Sequence, residues 1–151
     1  MKRRTFLAAT AIAPAILPRS VFGANKKLNI GFVGMGGQIQ GHVRNTLQLG
    51  HKVVAFCDVD PNQTDRSRNR HKDKAGKINA YMDYRQMLEN EKSLDAVVIG
   101  TPDHWHAPIC TAAMKAGKHV FCEKPLTHTV AESRDLRNLS RTAKVVTQTG
   151  N

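Results

Sequence analysis

The chain has 151 residues, room for about one domain, with 40% hydrophobic and 23% charged residues; that composition excludes a disordered chain and fits an ordinary globular protein. Its formal charge of +11 raises the question of a polyanion partner, yet Lys2, Arg3, Arg4 and Arg19 supply four of the 23 basic residues from a start without acid, and the other 19 face 12 acidic ones. The remaining excess gathers in residues 66–77 (RSRNRHKDKAGK), away from aromatic side chains that could stack on bases, so it is read as a solvated face and no nucleic-acid partner is expected.

Residues 1–24 read as an address rather than as fold. Lys2-Arg3-Arg4-Thr5-Phe6-Leu7 is a twin-arginine start, followed by an apolar run over residues 6–17 and a small-residue exit at Val21-Phe22-Gly23-Ala24. The run is shorter than the about 20 residues that a membrane span needs. A Sec signal or an uncleaved anchor is the alternative; the arginine pair before x-Phe-Leu favours the twin-arginine route. That implies the twin-arginine translocase as a partner and a periplasmic or exported location. Proteins on this route travel already folded, so a cofactor would have to travel bound.

Residues 25–151 alternate strand and helix. Residues 28–33 (LNIGFV) form an apolar run ending in glycines, which predicts a buried strand. Residues 37–49 predict a helix with Ile39, Val43, Thr46 and Leu47 on one face and Gly50 closing it. Residues 52–58 (KVVAFCD) predict a second strand, Asp60-Pro61 opens a polar helix to Gly76, and residues 77–81 give a weak third strand. Asp83 caps a short helix over 84–90, and residues 95–100 (DAVVIG) are the clearest strand. A helix follows over 107–116, stopped by Gly117, then a strand over 119–122. Thr129 and Glu132 form a capping box for a helix to about Ala143, and residues 144–149 close the series. Six strands with right-handed crossovers predict an α/β fold: a doubly wound parallel Rossmann sheet, order 3-2-1-4-5-6, with helices on both faces.

In such a sheet ligands bind beyond the carboxyl ends of the strands. Gly34-Met35-Gly36-Gly37 stands between the first strand and the first helix, where Gly34 makes a tight turn and Gly36 lets a pyrophosphate approach the helix N-terminus. The third glycine of G-x-G-x-x-G is replaced by Ile39, which must crowd the helix–strand contact or push the helix outward; Gly41 is a candidate for relieving the crowding. Asp58 ends the second strand, about 20 residues on, where an acid accepts the adenosine ribose hydroxyls. A carboxylate there repels a 2′-phosphate, so NAD is expected and NADP disfavoured, with Arg66 and Arg68 weakening the preference. Alternatively Asp58 caps the helix beside Pro61.

Thr101 and Pro102 turn after the fourth strand, near the expected nicotinamide half of the cofactor. His104, Trp105 and His106 follow. The two histidines lack a third metal ligand, so no metal is expected; each either touches ligand or serves the helix start, and Trp105 either lines the crevice or packs under the helix. Glu123-Lys124-Pro125 ends the fifth strand. The Lys124 ammonium there either holds a substrate hydroxyl or acts as a base, whereas elsewhere the triplet would be an exposed turn. Cys57, Cys110 and Cys122 lack metal-site spacing and read as buried thiols.

Together GFVGMGG, VVAFCDVDP, DAVVIGTPDHWHAPICTAAMKAGKHVFCEKPLTHTVAE and VVTQTGN make residues 28–151 resemble the Gfo/Idh/MocA oxidoreductase family. The resemblance implies an N-terminal NAD-binding Rossmann domain over residues 25–151. It further implies a C-terminal substrate domain, expected to be absent from this chain, and a homo-oligomer when that domain is present. It places Lys124 beside the nicotinamide and the reacting hydroxyl, and His106, in T-P-x-x-x-H, near the cofactor. Both become candidate catalytic residues, with Gly34, Met35, Gly36, Gly37, Asp58, Thr101, Pro102, His104, Glu123 and Lys124 as candidate cofactor contacts. The implied activity is an NAD(P)-dependent oxidation of sugars or cyclitols, with this portion alone expected to be inactive. Two alternatives stand beside it: an NAD-dependent glycoside hydrolase working by transient oxidation and elimination, and a non-catalytic cofactor-binding module.

Overall fold

A computed structural model describes residues 27–151, so the expected leader at residues 1–24 lies outside the described residues. Each apolar run pairs with its neighbours as a strand: β1 (Asn29–Val33), β2 (Lys52–Cys57), β3 (Asn79–Tyr81), β4 (Ala96–Ile99), β5 (His119–Cys122) and β6 (Thr147–Thr149). All are parallel, in the order β3-β2-β1-β4-β5-β6. Helices α1 (Ile39–Gln48), α2 (Pro61–Ala75), α3 (Tyr84–Asn90), α4 (His106–Lys115) and α5 (Val130–Thr142) form the crossovers, with one 3₁₀ turn at Asp103–Trp105 before α4.

Side-chain alternation along the strands divides the core in two. Ile30, Phe32, Phe56 and Val98 face α1 through Ile39 and Val43, while Val33, Cys57, Val97, Ile99 and Cys122 face α3, α4 and α5. Both faces of the sheet are therefore covered, as near-continuous apolar strands require.

The helix starts differ in a way that bears on the site. Asp60, Asp83 and Thr129 cap α2, α3 and α5 with side-chain oxygens, and Glu132 completes the capping box at α5. The first turn of α1 has no side-chain cap and no acid. The Gln40 and Gly41 N–H groups reach back to Gly37 O at 3.3 Å and Gln38 O at 3.2 Å, which leaves the Ile39 N–H ahead of them without a partner among the described residues, as at a helix start that can receive an anion.

The edge strands β3 and β6 are three residues each, shorter than the expected runs of 77–81 and 144–149. β6 is exposed throughout, because its sequence TQT offers no side chain to either core.

Candidate active site at the carboxyl edge of the sheet

Strands β1, β2, β4 and β5 end at one edge, and the turns leaving them carry the candidate residues. Gly34 turns the chain out of β1 with φ +84°, a conformation costly for any residue with a side chain. It also leaves no room: a Cβ would stand 2.7 Å from Thr101 N and 2.8 Å from Gly100 O. Its own N–H donates to Cys57 O at 2.8 Å, so the turns after β1, β2 and β4 are drawn into one place. Gly36 and Gly37, by contrast, are exposed, with no atom within 4 Å of where their Cβ atoms would be. Open space above two glycines at an uncapped helix start is the shape a pyrophosphate needs.

Asp58 faces this turn. Its Oδ2 accepts the Met35 N–H at 2.6 Å and its Oδ1 accepts the Asp60 N–H at 3.0 Å. Asp60, not Asp58, caps α2 through the Asn62 N–H. A carboxylate has about four acceptor positions, so two remain for the hydroxyls of a ribose. Met35 contributes only backbone here, since its side chain is buried in the core below.

Ile39 packs against β4 at a point where the strand has no side chain. It is buried, and its Cδ1 occupies the space where a Cβ on Gly100 would sit, 2.5 Å away. The glycine missing from the helix has its counterpart at the end of β4. Gly41 does not provide the relief, for nothing lies within 4 Å of its Cβ position.

The turn after β4 forms the opposite wall. Gly34, Asp58, Thr101, Pro102, His104 and Trp105 line a cleft of about 420 Å³ with Met82 from the β3–α3 connection and Tyr84 and Arg85 from the start of α3. Thr101 Oγ1 is buried without a hydrogen-bond partner among the described residues. His104 is exposed, and Trp105 is half-exposed with its ring edge against Tyr84 at 6.3 Å between centroids. Both stand on the cleft wall rather than under the helix.

His106 departs from the expectation of a catalytic group. Its side chain is 1% exposed, with Nδ1 2.6 Å from Pro125 O and Nε2 2.8 Å from Thr101 O. Neither nitrogen is open to a substrate; the ring spans the turns after β4 and β5.

Glu123 and Lys124 stand at the end of β5, outside the cleft lining, and the Lys124–Pro125 peptide is cis. The Lys124 side chain is exposed. Glu123 turns toward α1, where its Oε1 pairs with His42 Nε2 at 2.5 Å, and its Oε2 accepts the Lys124 N–H at 3.3 Å. The hydrogen bond from His42 is the main cause holding the Glu123 carboxyl below its ordinary range, helped by the Lys124 N–H and opposed by partial burial. The His42 ring packs on Phe121 at 5.0 Å.

His42 and Gly100 are the two site residues that the sequence reading misses. His42 had a signal: three residues after Ile39, it is a polar group on the face that carries Ile39, Val43 and Thr46. Gly100 had none, being an ordinary end to an apolar strand until its partner is known.

The open glycines, the uncapped α1, the unpartnered Thr101 hydroxyl and the half-used Asp58 carboxylate together fit a dinucleotide. Among the described residues, no three His, Cys, Asp or Glu side chains cluster to hold a metal.

Comparison with known proteins agrees with this geometry. Residues 28–151 match the model of an oxidoreductase family with an NAD-binding Rossmann fold. A glycosyl hydrolase family 109 protein of Shewanella pealeana is 37% identical over 114 residues, covering 70% of this chain and 24% of that protein. An alpha-N-acetylgalactosaminidase of Tannerella forsythia is 36% identical over 120 residues, covering 75% and 25%. Among solved structures, myo-inositol 2-dehydrogenase from Lactobacillus plantarum superimposes with a TM-score of 0.75 at 30% identity, covering 83% of this chain and 36% of that one. Scyllo-inositol dehydrogenase from Lactobacillus casei, solved with NAD(H) and scyllo-inositol, gives 0.73 at 29% identity, covering 83% and 36%. The chain thus spans about a quarter of the length of these curated relatives and about a third of these solved structures. It belongs to the Gfo/Idh/MocA oxidoreductase family and carries that family's NAD-binding Rossmann fold.

Proposed function

We propose that this chain is the cofactor-holding part of an NAD-dependent oxidoreductase of sugars or cyclitols. The observation that carries the reading is spatial: the glycine turn, Asp58 and exposed Lys124 all lie at one edge of one sheet. NAD, when bound, supplies the hydride acceptor. The backbone of Gly36 and Gly37 and the uncapped start of α1 receive its pyrophosphate, and Asp58 takes the ribose hydroxyls. The Asp58 charge disfavours the extra phosphate of NADP. Thr101 and Pro102, with His104, border the nicotinamide side. Lys124 either holds the reacting hydroxyl by its ammonium or, as the neutral amine, takes that hydroxyl's proton. The inositol dehydrogenases among the structural neighbours support a cyclitol or sugar as substrate.

A second reading is supported by the relatives rather than the geometry: hydrolysis of a glycoside through transient oxidation, with the cofactor restored at the end of each turnover. The family 109 glycosyl hydrolases and the alpha-N-acetylgalactosaminidase at 36–37% identity favour it. The same residues serve both, since each begins by moving a hydride from a carbinol carbon. Incubating the protein with nitrophenyl N-acetylgalactosaminide, without added NAD, separates the readings. Release of nitrophenol supports hydrolysis; reduction of added NAD by free sugars without such release supports oxidation.

The leader motif Lys2-Arg3-Arg4-Thr5-Phe6-Leu7 supports export through the twin-arginine translocase to the periplasm. A cofactor used without net consumption would suit that location, as would a homo-oligomer that keeps it enclosed.

A further inference from the structure

His106 is surrounded in a way that its ordinary neutral form does not satisfy. Its two ring nitrogens lie 2.6 Å from Pro125 O and 2.8 Å from Thr101 O, and the side chain is 1% exposed. Both partners are backbone carbonyls, which accept hydrogen bonds and cannot donate them. A neutral imidazole has one N–H and one bare lone pair. In either tautomer it satisfies one carbonyl and directs a lone pair at the other across hydrogen-bond distance. Only the doubly protonated ring donates to both.

We infer that His106 is held as a buried imidazolium that clamps the Thr101–Pro102 turn to the Lys124–Pro125 turn, and is a positioning residue for Lys124. The first half stands on the ring's own surroundings; the second rests on the proposed role of Lys124.

The clamp completes a pattern around the Glu123-Lys124-Pro125 turn. From one face of the sheet, α1 holds Glu123 through His42; from the other, α4 holds the Pro125 carbonyl through His106. Lys124 lies between the two attachments, its side chain free and its backbone held on both sides. No carboxylate among the described residues hydrogen-bonds to the His106 ring, so the two carbonyl dipoles are what offset the burial of its charge. The titratable groups on the elements around it are few. Asp103 and His104 precede it on the 3₁₀ turn, bonded to each other and largely turned to solvent. Cys110 lies one turn further along α4, buried, and Cys122 and Lys124 lie on the β5 side. None of them offers His106 an acceptor in place of the carbonyls.

The test is a long-range proton–nitrogen correlation spectrum of the 151-residue chain with nitrogen-15 in its histidine rings, recorded at neutral pH and assigned by comparison with His106→Asn. Two protonated ring nitrogens, with N–H protons protected from exchange, are expected for His106. One bare nitrogen in a fixed tautomer would overturn the imidazolium. The positioning half is read by amide hydrogen exchange in His106→Gln, which retains at most one side of the clamp. Exchange at Trp105 and Glu123, whose N–H groups donate to Pro102 O and Ile99 O at the two turns, should rise at least tenfold while the amides of β1 and β2 keep their rates. Equal acceleration throughout, or none at the two turns, would reduce His106 to a general packing residue. Both readouts are independent of cofactor binding, so a failure to bind NAD would strike the proposed function and leave these results standing.

Discussion

Ile39 on α1 and Gly100 at the end of β4 fit each other as a side chain fits a hole: a Cβ at position 100 would meet Ile39 Cδ1 at 2.5 Å. The fingerprint glycine normally lets helix and strand approach because the helix side lacks a side chain. Here the strand side lacks one. The pair is a single packing unit, and its mutants should behave as one. Ile39→Ala should cost about 2–5 kcal/mol as a core truncation, and Gly100→Ala about 1–3 kcal/mol as an overpacking. In the double variant the new methyl occupies part of the space that Ile39 vacates. Urea denaturation should show the double variant less destabilised than the sum of the singles by at least about 0.5 kcal/mol. Strict additivity would mean the two positions do not share the space.

The glycines of the first turn should separate into two kinds. Gly34→Ala faces both a positive φ and backbone atoms at 2.7–2.8 Å, which cannot move as a side-chain end can. It should cost about 2 kcal/mol or more in denaturant midpoints. Gly36→Ala meets nothing within 4 Å, so stability should change by less than about 0.5 kcal/mol while NAD affinity falls. Equal stability losses at both positions would refute the distinction.

Asp58 should set cofactor choice. Replacing it by Ala removes the acceptor for the ribose hydroxyls and the negative charge that opposes a 2′-phosphate. Hydrogen bonds to a charged group contribute about 1.5–3 kcal/mol, so NAD affinity should fall about 10- to 100-fold and the ratio of NAD to NADP affinity should move toward one. Titrating both nucleotides into both proteins checks it; an unchanged ratio would place the ribose elsewhere.

Glu123 ties acid stability to the His42 contact. Its carboxyl is held below the ordinary range, chiefly by the hydrogen bond from His42. A depressed carboxyl stabilises the fold above its unfolded-state value, about 4.3 for Glu, and loses that contribution as pH falls through its folded value. Wild type should therefore lose more stability than Glu123→Gln on acidification below about pH 4.3. Denaturant midpoints for both proteins across that window provide the measurement. Parallel loss would show that the pair does not carry the shift.

The strand–helix alternation was legible because β1, β2, β4 and β5 are largely buried and read as apolar runs, and because Asp60, Asp83 and Thr129 mark helix starts by local chemistry. The candidate site was legible by position, since Gly34, Asp58 and Lys124 stand just beyond strand ends. The role of His106 was not, because what decides it is which atoms face the ring: two carbonyls, one of them 19 residues away in the chain. The accommodation of Ile39 was hidden for the same reason. A contact between an isoleucine and the absence of a side chain at position 100 has no local signature, and the nearby Gly41 drew the inference instead.

The most direct measurement is a calorimetric titration of NAD into the 151-residue chain and into its Asp58→Ala variant under identical conditions. The account predicts saturable one-to-one binding to the first and a loss of about 10-fold or more in the second. Heats no greater than dilution for the unaltered chain, with its fold intact by circular dichroism, would contradict it.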